Sequence, residues 1–259
     1  MEITTSLIKE LRERTWIWMM DCKKALTSTN WDIELAIDEL RKKWLAKAVA
    51  KADREASEWW IKISLNNWKA YVVSVLCETD FLANTARYQD MLSAVIEEIV
   101  SWKNKEQAQE MINLNFSLEM WENLQIKDYL VIEGNTFGYY THSNNKLAAL
   151  VIWNEKWEED KLKQVAMHIT ATNPLYLSPN EISQEVVDKE KNIQLEIMKN
   201  DPKMIWKPDE VLLKIIEWKM WKFKSEISLL EQDFVVNPDV KVKTFIWEDV
   251  ITKFYRFSI

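Results

Sequence analysis

Residues 69–77 read Lys-Ala-Tyr-Val-Val-Ser-Val-Leu-Cys. This β-branched and apolar run predicts a well-buried strand. Just before it, Ile61-Lys62-Ile63-Ser64-Leu65 alternates apolar with polar residues, as a half-buried strand does. Asn66-Asn67-Trp68 between the two runs predicts a hairpin turn. After the second run the period changes, and Met91, Leu92, Val95, Ile96 and Ile99 form one helical stripe within Tyr88–Val100. Strand, turn, strand and helix in succession place the chain in the α+β class.

Towards the N-terminus the pattern is helical. Leu7, Ile8 and Leu11 recur at helical spacing, Met19–Leu26 forms a second short helix, and Asp32 can cap a third. On that third helix Ile33, Ala36, Ile37 and Leu40 share a face. Together these segments predict a three-helix bundle, with Lys42–Arg54 as an Ala- and Lys-rich helical linker. Towards the C-terminus, Tyr129–Glu133 and Leu147–Trp153 read as strands, and residues 160–172 as a helix with Leu162, Val165, Ala166 and Ile169 on one side. Glu181–Lys199 is a long helix whose stripe is Ile182, Val186, Ile193 and Ile197. Pro202 and Pro208 mark a turn, and Asp209–Phe223 is its antiparallel partner. Leu229-Leu230, Phe234–Val236 and Phe254–Phe257 read as late strand-like pieces.

Composition excludes several function classes. The net charge of −7 over 259 residues argues against a nucleic-acid surface, which is usually basic, and suits a protein partner. No apolar run is long enough to span a membrane. Met1–Ser6 lacks the basic and apolar regions of a signal peptide. Cys22 and Cys77 lie far apart with no C-x-x-C spacing, which points to a reducing cytoplasm. His142 and His168 are the only histidines, and neither has metal-ligand spacing. No phosphate-binding glycine loop occurs, and the carboxylates scatter over amphipathic helices. No catalytic constellation emerges, so neither an enzyme nor a cofactor site is expected. As a pattern, His168 reads most simply as a packed helix histidine.

Thr79-Asp80-Phe81-Leu82 directly follows the buried strand. A carboxylate beside a large ring just past a strand end can probe a partner's pocket. The simpler reading has Asp80 capping the next turn and Phe81 entering the protein's own core.

Several segments resemble the elongation factor Ts family in order along the chain. They are Leu11–Thr15, Met19–Leu26, Asp32–Ile37, Cys77-Glu78-Thr79-Asp80-Phe81-Leu82, Ala166–Ile169, Ser183–Lys189, Lys219–Phe223 and Ser228–Gln232. The resemblance implies a bundle like a ubiquitin-associated domain with its linker (1–54), then a two-part α+β core (55–141 and 142–259) carrying a protruding helical hairpin near 181–223. It implies a guanine-nucleotide exchange factor that binds elongation factor Tu. Thr79, Asp80, Phe81 and Leu82 would dislodge the partner's magnesium ion, which overrides the simpler reading of that stretch. Lys9, Arg12, Met19, Met20 and Lys23 would grip the partner's nucleotide domain, and His142 and His168 stand where the family carries histidines. Neither direct nucleic-acid nor membrane contact is implied, and self-association into a homodimer stays open. The alternative is a protein-binding scaffold without exchange activity. The family often continues past a strand like Tyr255–Phe257 into a further helix, so a reduced C-terminal contact is expected here; Asp233 stands where the family usually has proline.

One count is abnormal. Average usage predicts about 18 glycines in a chain of this length, yet there are 2 glycines and 15 tryptophans. Family glycines align with Trp16, Trp18, Trp31, Trp59, Trp68, Trp121, Trp157, Trp206 and Trp218. Trp31 follows Asn30 between two helices and Trp68 follows Asn67 in a hairpin turn, both settings that favour glycine. UGA codons that mean glycine in the source organism would produce this pattern; genuine tryptophan enrichment is the alternative.

Overall fold

Ile8 and Leu11 lie one helical turn apart on Thr5–Thr15 (α1), and both are buried. They meet Cys22, Ala25 and Leu26 of Met19–Ser28 (α2) and Ala36, Ile37 and Leu40 of Ile33–Lys51 (α3) in one apolar cluster. The computed structural model describes residues 5–15, 19–51, 53–66, 68–154, 159–201, 204, 207–246 and 251–258. It divides into two units, Met1–Glu133 and Gly134–Ile259. Asp32 caps α3, its carboxylate accepting from the Leu35 N–H at 3.0 Å. Helix α2 ends with the Trp31 N–H donating to the Leu26 carbonyl at 2.7 Å. Asn30 therefore holds the residue position that favours a left-handed backbone, and Trp31 follows it, with φ of 52° and 70°.

The rest of the first unit is a sheet covered by helices. Glu58–Asn66 (β1) and Lys69–Cys77 (β2) form the expected hairpin, pairing from Glu58 with Cys77 to Asn66 with Lys69. Trp68 is exposed at its tip, and Asn67 lies outside the described residues. Short helix Asp80–Ala83 (α4) and helix Ala86–Val100 (α5) follow. All five residues of the predicted α5 stripe are buried against Tyr71, Val73 and Val75 of β2. Helices Lys105–Asn115 (α6) and Ser117–Met120 (α7) then lead to Gln125–Glu133 (β3), which completes the antiparallel order β1-β2-β3. Helix α3 runs on to Lys51 through most of the expected helical linker, and it touches α6 and α7.

In the second unit, Thr136–Thr141 (β4) and Ala148–Trp153 (β5) pair antiparallel, and β5 is buried along its whole length. Glu159–Thr172 (α8) covers this sheet with Leu162, Val165, Ala166 and Ile169. Gly138 permits that approach: a Cβ there would sit 2.8 Å from the Leu162 carbonyl carbon. Gln184–Lys199 (α9), capped by Ser183, packs on Asp209–Ile227 (α10), with the Lys219 ammonium donating to Gln194 at 2.8 Å. Half of the predicted α9 stripe meets this partner, since Ile182 and Val186 join the apolar cluster. Val187 and Met198 meet Ile216 and Met220, while Ile193 and Ile197 are exposed. Residues 179–181 form a separate short turn before α9.

Leu229-Leu230 is a tight helical turn rather than a strand. Its N–H groups donate to the Tyr176 and Leu177 carbonyls, and both side chains are buried. Asp233–Phe234 (β6) and Asn237–Lys241 (β7) make a two-stranded ribbon, Val242–Ile246 (α11) follows, and Ile251–Phe257 (β8) joins β5.

Candidate functional site

The Thr79–Leu82 stretch begins two residues after the buried Cys77 that ends β2. Thr79 has an extended backbone and caps α4, its hydroxyl oxygen accepting from the Leu82 N–H at 3.3 Å. One helical turn then sorts the side chains. Ala83 is fully buried and Leu82 packs against the unit's core, while Asp80 and Phe81 face outward. Phe81 is 84% exposed, the most exposed large apolar side chain among the described residues. Leaving such a ring in water forgoes roughly 1.5–3 kcal/mol of burial. The simpler sequence reading is thereby excluded: Thr79, not Asp80, is the cap, and Phe81 stays out of the core.

The turn is tied down from below. Glu122 Oε2 accepts from the backbone N–H groups of Glu78 and Thr79 at 2.7 and 2.9 Å, and its Oε1 accepts from the Thr79 hydroxyl at 2.5 Å. In return Glu78 Oε1 accepts from the Asn123 N–H at 2.7 Å, and the Asn123 side-chain amide donates to the Arg54 carbonyl at 2.7 Å. Charge-assisted bonds of this kind are about twice as strong as neutral ones. Glu122 reaches this position because α7 ends at Trp121 in a left-handed conformation, with φ of 59°. Arg87 of α5 holds α7 through Glu119 at 2.8 Å and through the Phe116 ring. The Cys77 thiol donates to the Thr79 carbonyl at 3.3 Å. Burial, aided by the Glu122 charge, pushes that thiol up to about 12, so it remains a protonated donor at neutral pH.

The other expected contact residues separate into two groups. Lys9 and Arg12 lie on the exposed face of α1, and Met19, Met20 and Lys23 on that of α2, with Met20 60% exposed. His142 is exposed where β4 ends, edge-on to Tyr140. His168 differs. It is fully buried on α8; Nε2 lies 2.9 Å from Gln232 Oε1, and Nδ1 accepts from the Val235 N–H at 3.2 Å. With Nδ1 as acceptor, Nε2 carries the proton and the ring is neutral. Burial holds its pKa below the ordinary value. His168 therefore braces the chain around Val235 and presents nothing to a partner.

Among the described residues no group of three or more His, Cys, Asp or Glu could hold a metal ion, and no helix is long and apolar enough to cross a membrane. Sequence reasoning missed Glu78, Glu122 and Asn123, because a carboxylate's bond to backbone some 43 residues away leaves no periodic trace.

Comparison with known proteins shows the family of the chain. The family model described as Elongation factor TS matches residues 78–259, starting at Glu78 beside the capped turn. Elongation factor Ts of Klebsiella pneumoniae subsp. pneumoniae is 37% identical over 267 residues, covering 100% of this chain and 92% of that protein. Elongation factor Ts of Salmonella agona is similar to the same degree, 37% over 267 residues with the same 100% and 92% coverage. Elongation factor Ts of Spiroplasma citri is 36% identical over 260 residues, covering 95% of this chain and 88% of that one. With its three N-terminal helices, its α+β core and these relatives along its length, the chain belongs to the elongation factor Ts family of translation elongation factors.

Proposed function

We propose that this chain is the guanine-nucleotide exchange factor for elongation factor Tu, acting on the GDP-bound form to displace Mg2+ and release GDP so that GTP can bind. The observation that carries this reading is Phe81, exposed beside Asp80 on a turn that three bonds to Glu122 hold in place. A ring held out rigidly acts as a wedge without losing further conformational freedom on binding. Asp80 beside it brings a negative charge towards the partner's phosphates and metal, where it disfavours the magnesium-bound state. Exchange then follows from linkage: a factor that prefers the nucleotide-free partner weakens GDP by the same ratio by which GDP weakens the factor.

The chain itself carries out no chemical reaction in this scheme and needs no cofactor. Lys9, Arg12, Met19, Met20 and Lys23 of the N-terminal, ubiquitin-associated-like bundle (1–54) supply a second contact, and His142 a third. The net charge of −7 suits a protein partner in the cytoplasm rather than nucleic acid. Immobilised chain should capture elongation factor Tu, with capture weakening as GDP rises. Capture that is indifferent to GDP would replace exchange with a scaffold role.

A further inference from the structure

We propose that Glu122 is the positioning residue of the exchange turn, fixing the direction in which Asp80 and Phe81 leave β2; this rests on the reading of Thr79–Leu82 as the exchange contact. Four observations carry it. Glu122 makes three bonds to the two residues that precede α4, all between 2.5 and 2.9 Å. The Thr79 hydroxyl works in both directions, donating to Glu122 and accepting from the Leu82 N–H that starts α4. Glu122 is itself held, since the next residue, Asn123, is bonded through its N–H to Glu78 and through its side chain to the Arg54 carbonyl. The left-handed residue 121 then points the Glu122 carboxylate towards the turn.

The arrangement is only partly buried, and Thr79 is exposed. Water can therefore satisfy the two N–H groups when Glu122 is removed, so the fold survives while the turn loses its fixed direction. That separates a positioning role from a purely structural one. Gln at 122 keeps an oxygen able to accept both backbone N–H groups, whereas Ala keeps none.

The test uses the full chain with Glu122→Ala, Glu122→Gln, Thr79→Val and Phe81→Ala. Two quantities are read: the rate of fluorescent GDP release from elongation factor Tu across factor concentrations, and hydrogen exchange of the Glu78 and Thr79 amides in the free chain. Expected for Glu122→Ala is a saturating rate lowered about tenfold with a half-saturating concentration within about twofold of wild type, and for Glu122→Gln a saturating rate within about threefold. Amide protection at residues 78 and 79 should disappear in Glu122→Ala and persist in Glu122→Gln. A wild-type saturating rate in Glu122→Ala, or a Gln variant as slow as Ala, overturns the proposal. Should Glu122→Ala fail to fold, Thr79→Val carries the test: it removes the hydroxyl's bonds to Glu122 and to the Leu82 N–H while leaving both backbone N–H bonds to Glu122, and a wild-type saturating rate there overturns the proposal. A wild-type rate in Phe81→Ala sinks the exchange-contact reading instead, and amide protection then decides alone whether Glu122 holds the turn.

Discussion

Glu122 holds the backbone of Glu78, and Glu78 in turn holds the backbone just after Glu122. The Glu122 carboxylate accepts from the Glu78 N–H at 2.7 Å, and the Glu78 carboxylate accepts from the N–H of Asn123, the residue after Glu122, also at 2.7 Å. Two acidic side chains thus sit close together without an unsatisfied charge, because each faces N–H donors rather than the other carboxylate. The pair joins the end of β2 to the start of β3, the point from which the exposed Asp80-Phe81 turn departs.

Phe81→Ala should slow GDP release from elongation factor Tu and leave the melting temperature within about a degree or two of wild type. A side chain with 84% exposure contributes little to folding, and surface substitutions usually stay within about 0.5 kcal/mol. Stopped-flow release together with a thermal melt decides it; wild-type release from a normally folded variant removes the wedge role.

Gly138→Ala should destabilise the second unit by roughly 1–3 kcal/mol, the usual cost of forcing extra volume into a packed interior. The added Cβ would overlap Leu162, including its backbone carbonyl carbon at 2.8 Å. Backbone gives way less readily than a side-chain tip, so β4 and α8 must separate. Urea unfolding of the variant against wild type measures the loss, and an unchanged midpoint would contradict the close approach.

Stability should fall as the medium is acidified below about pH 6.5. His168 has a pKa held below its ordinary 6.5 by burial, so the unfolded chain takes up a proton there that the folded chain resists. More protons bound when unfolded means that stability rises with pH across this window and is lost on the way down. Protonation would also turn Nδ1 into a donor facing the Val235 N–H. Denaturant midpoints between pH 7.5 and 5.5 should decline in wild type and decline less in His168→Gln. Equal slopes in the two proteins would remove His168 as the cause.

Most of the 15 tryptophans should be glycine in protein purified from its own source. The described non-glycine residues with positive φ are Asn30, Asn145 and Asn173 together with Trp31, Trp102 and Trp121, whereas neither glycine has a positive φ. Asparagine tolerates that conformation; a bulky residue with a Cβ is strained there by roughly 1–2 kcal/mol. Trp102 sits one residue past the C-cap of α5, with its N–H donating to Ile99 and that of Lys103 to Glu98, the paired bonds that favour glycine at this position. Trp59 is fully buried, and its indole N–H has no acceptor among the described residues. Peptide mass spectrometry that finds tryptophan at positions 31, 102 and 121 would end the idea.

Local pattern alone determined much of this protein. The span of β2, the buried stripe of α5, the three apolar faces of the bundle and the Asp32 cap all follow from periodicity and capping, because each depends on residues within one or two turns of one another. Helix α6 was less legible. Only Ala108 and Ile112 are buried on it, although the Asn104–Gln107 capping box was a readable start signal. Tertiary packing decided the rest. Which face of the later turns of α9 is buried depends on where Ile216 and Met220 of α10 approach, so the predicted stripe held at Ile182 and Val186 and failed at Ile193 and Ile197. Leu229-Leu230 turns instead of extending because its N–H groups find carbonyls at Tyr176 and Leu177. The exposure of Phe81 and the hold of Glu122 on its turn depend on partners some 43 residues apart. Side-chain bonds to distant backbone have no period and no fixed spacing, so only the folded chain brings them together.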